Sequence, residues 1–321
     1  MGFQSRLGPR TGKMRTDSVT GALITCLLVT VCTLVPVVGL MGTVFIPVPV
    51  MFYRAKTGRQ AAAVIAAVAL GFVSLLGGAL ELVFFGGFLL IGLALGELMP
   101  KGYSIERTAG VVCAAVFAFG LAGLAGYGIF TGTGLYAILS ETARINLELT
   151  VEIYRQMGVS EDQIQFLESA LPVIQSVLVG IMPALAASSV LMVIWVSLLT
   201  ARAVFKRFGL PFPDYGALDH WKAPEPLVWG VIAAGVLMLV PNFPARIVGL
   251  NGLLVYMVVY FFQGIAIVAF YFRKKQVPRV ARLLFYGIIG VQQVVMLAVI
   301  GVGFFDTWFN FRKLGTPLAS H

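Results

Sequence analysis

Histidine, cysteine and charge are all scarce in this chain, and each shortage removes a class of function. The two histidines, His220 in a loop and His321 at the chain end, offer no cluster for a metal and no Ser-His pair within an apolar stretch. The three cysteines, Cys26, Cys32 and Cys113, all fall inside apolar runs, where cysteine acts as a small apolar filler and builds no disulfide framework. No GxxxxGK[ST] phosphate loop occurs, so the chain does not supply its own ATPase. An enzyme is not expected, nor a cofactor.

Charged residues make up 12% of the 321 positions and hydrophobic ones 59%, with a mean hydropathy of +0.93. A soluble core could not bury that much apolar surface, so the lipid bilayer is the expected solvent. The apolar runs are long and continuous rather than short and alternating, which excludes a β-barrel. The expected fold is an all-α, polytopic transmembrane bundle. Spans are placed at 19–35, 37–53, 60–76, 82–99, 108–130, 171–200, 227–239, 250–270 and 283–304, eight or nine in all. Two are irregular: the second contains Pro47 and Pro49, and the seventh is short and runs into Pro241.

Net charge is +9, yet the basic residues bracket apolar spans and form no patch interleaved with aromatics, so nucleic acid is not an expected partner. Lysine and arginine resist translocation. With a cytoplasmic N-terminus and nine crossings, every Lys and Arg lies inside except Arg144, Arg155, Arg246, Arg312 and Lys313. The basic stretch before the first apolar run resembles a signal peptide, but no small-residue cleavage site follows Val38, so an uncleaved first helix is expected. The chain then divides into a basic N-terminus (1–17), a membrane core (18–205) and additional helices with the C-terminus (206–321). The expected location is a plasma membrane with the N-terminus in the cytoplasm.

The soluble segment at 131–170 carries Glu141, Glu148, Glu152, Glu161, Asp162 and Glu168. Ile145, Leu149 and Ile153 form a stripe on a helix from about Ser140 to Met157, with Gly158 as its stop. Ser160 and Gln163 read as a capping box opening the next helix. The resulting external hairpin is either a lid or docking element over the outer mouth, or an amphipathic element lying on the membrane surface or packed on its neighbours.

Polar residues within spans point to ligands because each needs a partner or a water-lined cavity. Glu81 stands at an outer turn and Glu97 near the inner face. Gln263 lies ten residues before Arg273 and Gln292 ten residues after Arg282, so in straight antiparallel helices Gln292 and Gln293 would face Gln263. Either interhelical amide bonding or solute contact would follow, with Gly264 allowing close approach. Gly92-xxx-Gly96 is a packing face. Ile46-Pro47-Val48-Pro49 breaks regular helix, and broken backbone at depth must be buried or line a cavity; at the inner interface it would be a frayed end.

The run PALAASSVLMVIWVSLLTARAVFKRFG from Pro183, the link YGALDHWKAPEPLVWG from Tyr215, and the ending FFQGIAIVAFYFRKKQVPRVARLLFYG with GFFDTWFNFRKL resemble the uncharacterised bacterial YybS-like membrane family. Gln263, Gly264, Arg273 to Lys275, Asp306, Trp308, Phe311 and Arg312 map onto its pattern. The resemblance implies a distant similarity to the substrate-binding subunits of energy-coupling-factor transporters, six-helix bundles with an outward pocket. Residues up to Arg202 would then be the six-helix unit. Pocket walls would come from Pro36 to Thr43, Gly77 to Glu81 and the segment before Leu171, with Tyr127 and Gln175 nearby. Gly21 and Ala22 stand where such subunits carry a docking alanine pair. The expected function is capture or transport of a small organic solute, with Glu81, Tyr127, Gln175, Gln263, Gln292 and Gln293 as ligand contacts. A scaffold that binds another membrane protein is the alternative.

Overall fold

The structure, a computed structural model, describes residues 8–35, 39 and 41–313. Arg6, Pro36, Val38 and His321 lie outside the described residues, as does much of the expected wall at 36–43. The described residues form eleven α-helices and no strand. We number them α1 (Gly8–Leu34), α2 (Pro47–Thr57), α3 (Arg59–Leu76), α4 (Ala79–Leu98), α5 (Ile105–Thr131), α6 (Leu135–Gln156), α7 (Glu161–Phe208), α8 (Leu227–Leu239), α9 (Phe243–Lys274), α10 (Arg279–Val291) and α11 (Gln293–Phe309). Six helices are long and apolar enough to cross a membrane, or seven if the bent pair α10–α11 counts as one span. The other expected spans differ for local reasons. Within 37–53, a 3-10 turn at Thr43–Phe45 precedes an α2 of only 11 residues. At about 1.5 Å per residue, α2 covers roughly half a bilayer core. α8, with 13 residues, is nearly as short.

The chain divides into two compact units, Met1–Val179 with Ser189–Asp214, and Gly180–Ser188 with Tyr215–His321. In the first, Pro47 and Pro49 occupy the first turn of α2, where a missing N–H leaves no helical bond unmade. The segment is buried, Ile46, Val50 and Met51 completely. Its irregular backbone therefore faces protein, the inward of the two expected placements. Gly92 and Gly96 make this possible. A Cβ on Gly92 would stand 2.8 Å from the Pro47 carbonyl oxygen, and one on Gly96 2.8 Å from Cγ of Arg54. Arg54 then reaches Glu97 at 2.8 Å, which gives that carboxylate a partner at the end of α4.

In the second unit α8 and α9 form an antiparallel hairpin. Gly230 packs under Tyr256, and Gly249 lies against the Ala234 carbonyl. The α7 segment running through Pro183 packs here too. Asn251 accepts from the Ala184 N–H (2.9 Å) and donates to the Gly180 carbonyl (2.8 Å). It thus engages both ends of one helical rung beside the proline, a local repair of the kind that lets proline persist in membrane helices. α9 and α11 cross on facing glycines. A Cβ on Gly264 would collide with the Val299 carbonyl, and one on Gly303 with the Tyr260 carbonyl.

Gly303→Ala should therefore destabilise the protein by about 1–3 kcal/mol or more, read as a lower thermal midpoint in detergent. Gly301→Ala, two residues away with nothing within 4 Å, should leave the midpoint unchanged. Equal effects would place the crossing elsewhere.

Candidate functional site

The second unit holds the most deeply buried charge among the described residues. Asp306, near the end of α11, is 1% exposed, and its Oδ2 receives the Arg312 guanidinium at 2.8 Å and the Gln263 carboxamide at 3.2 Å. Its Oδ1 accepts from the Phe311 N–H at 2.8 Å. Arg312 also donates to the carbonyls of Asp219 and Trp221, each at 2.9 Å. The Gln263 Oε1 accepts from the Ala223 N–H at 3.1 Å. Asp219 pairs with Arg273, and the Tyr271 hydroxyl donates to the Phe311 carbonyl at 2.9 Å. One network thus ties the α7–α8 link, the second half of α9 and the chain after α11 together. A buried ion pair stands only when such additional bonds satisfy it.

This arrangement corrects the expected glutamine pairing. Gln263 faces Asp306 and Ala223, while Gln292 and Gln293 are exposed and make no side-chain bond among the described residues. Equal spacing from basic turns assumed straight helices, whereas α10 and α11 meet at a 100° bend. Arg282 bonds the carbonyls of Val277 and Phe272 where α10 leaves α9. Phe311 and Arg312 return to Tyr271 and the link beside Arg273. The pair starts and finishes near the same end of α9.

At the bend Gln292 is extended (φ −92°, ψ 108°). Its N–H still bonds the Ile288 carbonyl and its carbonyl takes the Met296 N–H. The intervening rungs, from Gln293, Val294 and Val295 to Ile289, Gly290 and Val291, are missing, and no side chain caps α11. Three N–H groups and three carbonyls are left there without helical partners, beside the exposed Gln292 and Gln293 carboxamides.

Two of the three remaining expected contacts, Glu81 and Gln175, have local partners. Glu81 is exposed and its Oε2 accepts from the Gly78 N–H at 2.8 Å, closing the start of α4. Gln175 donates to the Ser140 hydroxyl at 2.8 Å, tying α7 to α6. Tyr127 is half-buried on α5. Glu81, Tyr127 and Gln175 belong to the first unit, and Gln263, Gln292 and Gln293 to the second.

The hairpin expected at 131–170 is α6 followed by the start of α7, with Gly158 at φ +78° between them. Ser160 is the N-cap residue, but its side chain makes no cap bond, so the expected capping box is absent. The Ile145, Leu149 and Ile153 stripe is exposed, and Ala143 and Val151 form the buried side. Arg144 joins Glu141 and Glu148, and Arg155 joins Glu152 on its own helix to Glu168 on α7. A cleft of about 430 Å³ lies beside these pairs, over Leu149 and Leu171. The hydrogen bond from Arg144 holds the Glu141 carboxyl below the usual range. No group of three or more metal-ligating side chains occurs among the described residues.

The model of the family described as predicted membrane protein (DUF2232) matches residues 23–307. The uncharacterised protein YybS of Bacillus subtilis strain 168 is 22% identical over 311 residues, 91% of this chain and 96% of that protein. No solved structure matches. The relatedness to energy-coupling-factor subunits implied by the resemblance is carried by none of these findings.

Asp306→Ala should cost about 3–5 kcal/mol by leaving Arg312 charged and unpaired, and Gln263→Leu about 1–3 kcal/mol by stranding the Ala223 N–H and an Asp306 lone pair. Thermal midpoints in detergent read both. An unchanged midpoint in Asp306→Ala would contradict the network. In the hairpin, Glu141 has a lowered folded pKa, so its stabilising contribution is present above the ordinary carboxylate range and disappears as pH falls through the folded value. Hydrogen exchange over Leu135–Gln156 should accelerate at acid pH, after correction for intrinsic rates, and less so in Glu141→Gln.

Proposed function

This chain belongs to the DUF2232 family of predicted membrane proteins, and from that premise we propose that it captures or transports a small organic solute at the α10–α11 bend. The observation that carries the reading is the set of open polar groups there. In hydrocarbon each unsatisfied backbone group costs several kcal/mol, and broken helices persist in membranes where they are buried or line a polar cavity. Polar backbone combined with the Gln292 and Gln293 carboxamides and the N-terminus of α11 suits a solute bearing carbonyl or carboxylate oxygens.

Charge placement supports the same layout. With α2 and α8 completing crossings together with the turns that flank them, and α10–α11 entering and leaving at one face, Arg312 and Lys313 join Arg273, Lys274 and Lys275 on the cytoplasmic side, together with the N-terminus. Only Arg144, Arg155 and Arg246 then remain outside, a stronger bias than nine crossings produce. The second reading, a scaffold for another membrane protein, draws on the exposed Ile145, Leu149 and Ile153 stripe of the external hairpin.

The test is a thermal-shift screen of the purified protein against small carboxylates, amides and related metabolites. The solute reading expects at least one to raise the midpoint. In Gln292→Ala/Gln293→Ala that shift should vanish while the ligand-free midpoint stays within about 1 kcal/mol of the parent, as expected for exposed side chains. No stabilising compound, or a shift that survives the double change, counts against it.

A further inference from the structure

The hairpin of α6 and the start of α7 is fastened by side chains at two places and hollow between them. Arg155 on α6 donates to Glu168 on α7 at 3.0 Å, and Gln175 on α7 donates to the Ser140 hydroxyl on α6 at 2.8 Å. The residues lining the cleft of about 430 Å³ fall at or between these fastenings along both helices, and all belong to the first unit. Ile145, Leu149 and Leu171 give the cleft aliphatic walls, while Glu148, Glu152 and Glu168 set three carboxylates against the single guanidinium of Arg155. Arg144 does not restore the balance, because Glu148 shares it with Glu141. Glu148 and Glu168 each accept an arginine bond through Oε1, and the Oε2 of each accepts none among the described residues. We infer that this cleft binds a small organic cation, an ammonium group carried on an apolar body. The inference is independent of the solute reading at the α10–α11 bend.

Charge complementarity and size select this occupant. An ammonium has three donor hydrogens and no acceptor, which matches carboxylate oxygens that stand on two different helices with a bond still to accept. The excess of carboxylates repels an anion of the same shape. A single exposed ion pair contributes little, so the aliphatic walls must hold the rest of the molecule, and a bare ammonium falls short. The volume lies within the range of small-molecule sites, roughly 300–1,000 Å³. Bonds tie the helices together on either side of the cleft, which suits a compact ligand better than a continuous partner helix. A phospholipid headgroup fits less well, because it carries a phosphate within a few bonds of any ammonium and brings the repelled charge with the attracted one.

The test uses the full-length protein in phosphatidylcholine nanodiscs, with empty nanodiscs as the blank, and titrates phenethylammonium by calorimetry alongside hydrogen exchange. Saturable binding above the blank is expected, with slowed exchange over Leu135–Gln156. Methylammonium, which lacks the apolar body, and 3-phenylpropionate, which reverses the charge, should each bind about tenfold more weakly or worse. Salt at about 0.5 M should weaken phenethylammonium. Glu148→Gln/Glu168→Gln should raise its Kd by about fivefold. Leu149 is 57% exposed, so Leu149→Ser should weaken binding without lowering the ligand-free thermal midpoint. Gln292→Ala/Gln293→Ala should leave this binding unchanged, so failure here and failure of the solute reading are read separately. Binding no greater than the blank overturns the inference, as does equal binding of 3-phenylpropionate or binding that ignores both the glutamate and the leucine changes. Protection of the hairpin by added anionic lipid, with no response to the amine, assigns the cleft to lipid and overturns it too. So does protection that rises with protein concentration and ignores the amine, which assigns the cleft to a second copy.

Discussion

Every backbone N–H and C=O placed in hydrocarbon must find its partner within the protein, and this constraint sorts the irregular places in the chain. Pro47 and Pro49 sit in the first turn of α2, where helices have spare N–H groups, and protein buries the segment. Pro183 lies inside α7, and Asn251 engages both ends of the neighbouring rung. At Gln292 there is no such repair: three rungs are missing and two carboxamides stand open beside them. Two irregularities are closed by the fold. The third is not closed by any bond among the described residues, which is why we propose the function there.

The Asp306–Arg312 pair decides where that third irregularity sits. By fastening the chain after α11 to the carbonyls of Asp219 and Trp221, it returns the end of α11 to the α9 terminus from which α10 departs. Gly264 and Gly303 bring the helix axes close enough for Gln263 to reach Asp306. Loss of the glycines or of the ion pair would release the same element, so packing and electrostatics converge on one geometry. A buried pair of this kind contributes little net stability compared with apolar packing; its effect here is to fix one position for the end of α11.

Much of the helical architecture was legible in hydropathy, because long apolar runs between basic residues leave few other solutions. Burial of the proline segment was one of two readings that irregular backbone left open, and the Gly92-xxx-Gly96 face followed from small-residue spacing. The bend at Gln292 was not legible. Neither proline nor charge marks it, and an apolar run across 283–304 reads as one straight span. That error carried the glutamines onto the wrong partner, since equal depth follows only for straight helices. The family pattern did single out Gln263, Asp306, Phe311 and Arg312, but not that they bond one another across 43 residues of sequence. The helical period of Ile145, Leu149 and Ile153 was legible, but not that this stripe stays exposed while Ala143 and Val151 on the other side are buried.

The central claim is that α10–α11 enters and leaves the bilayer at one face. Single cysteines at Lys274, Lys313 and Ser140, in a background lacking the native cysteines, can be labelled in intact cells with a membrane-impermeant maleimide and compared with permeabilised cells. The account predicts that positions 274 and 313 are both protected until permeabilisation while position 140 labels at once. Labelling of position 313 alongside 140, with 274 still protected, would contradict it and restore a ninth crossing.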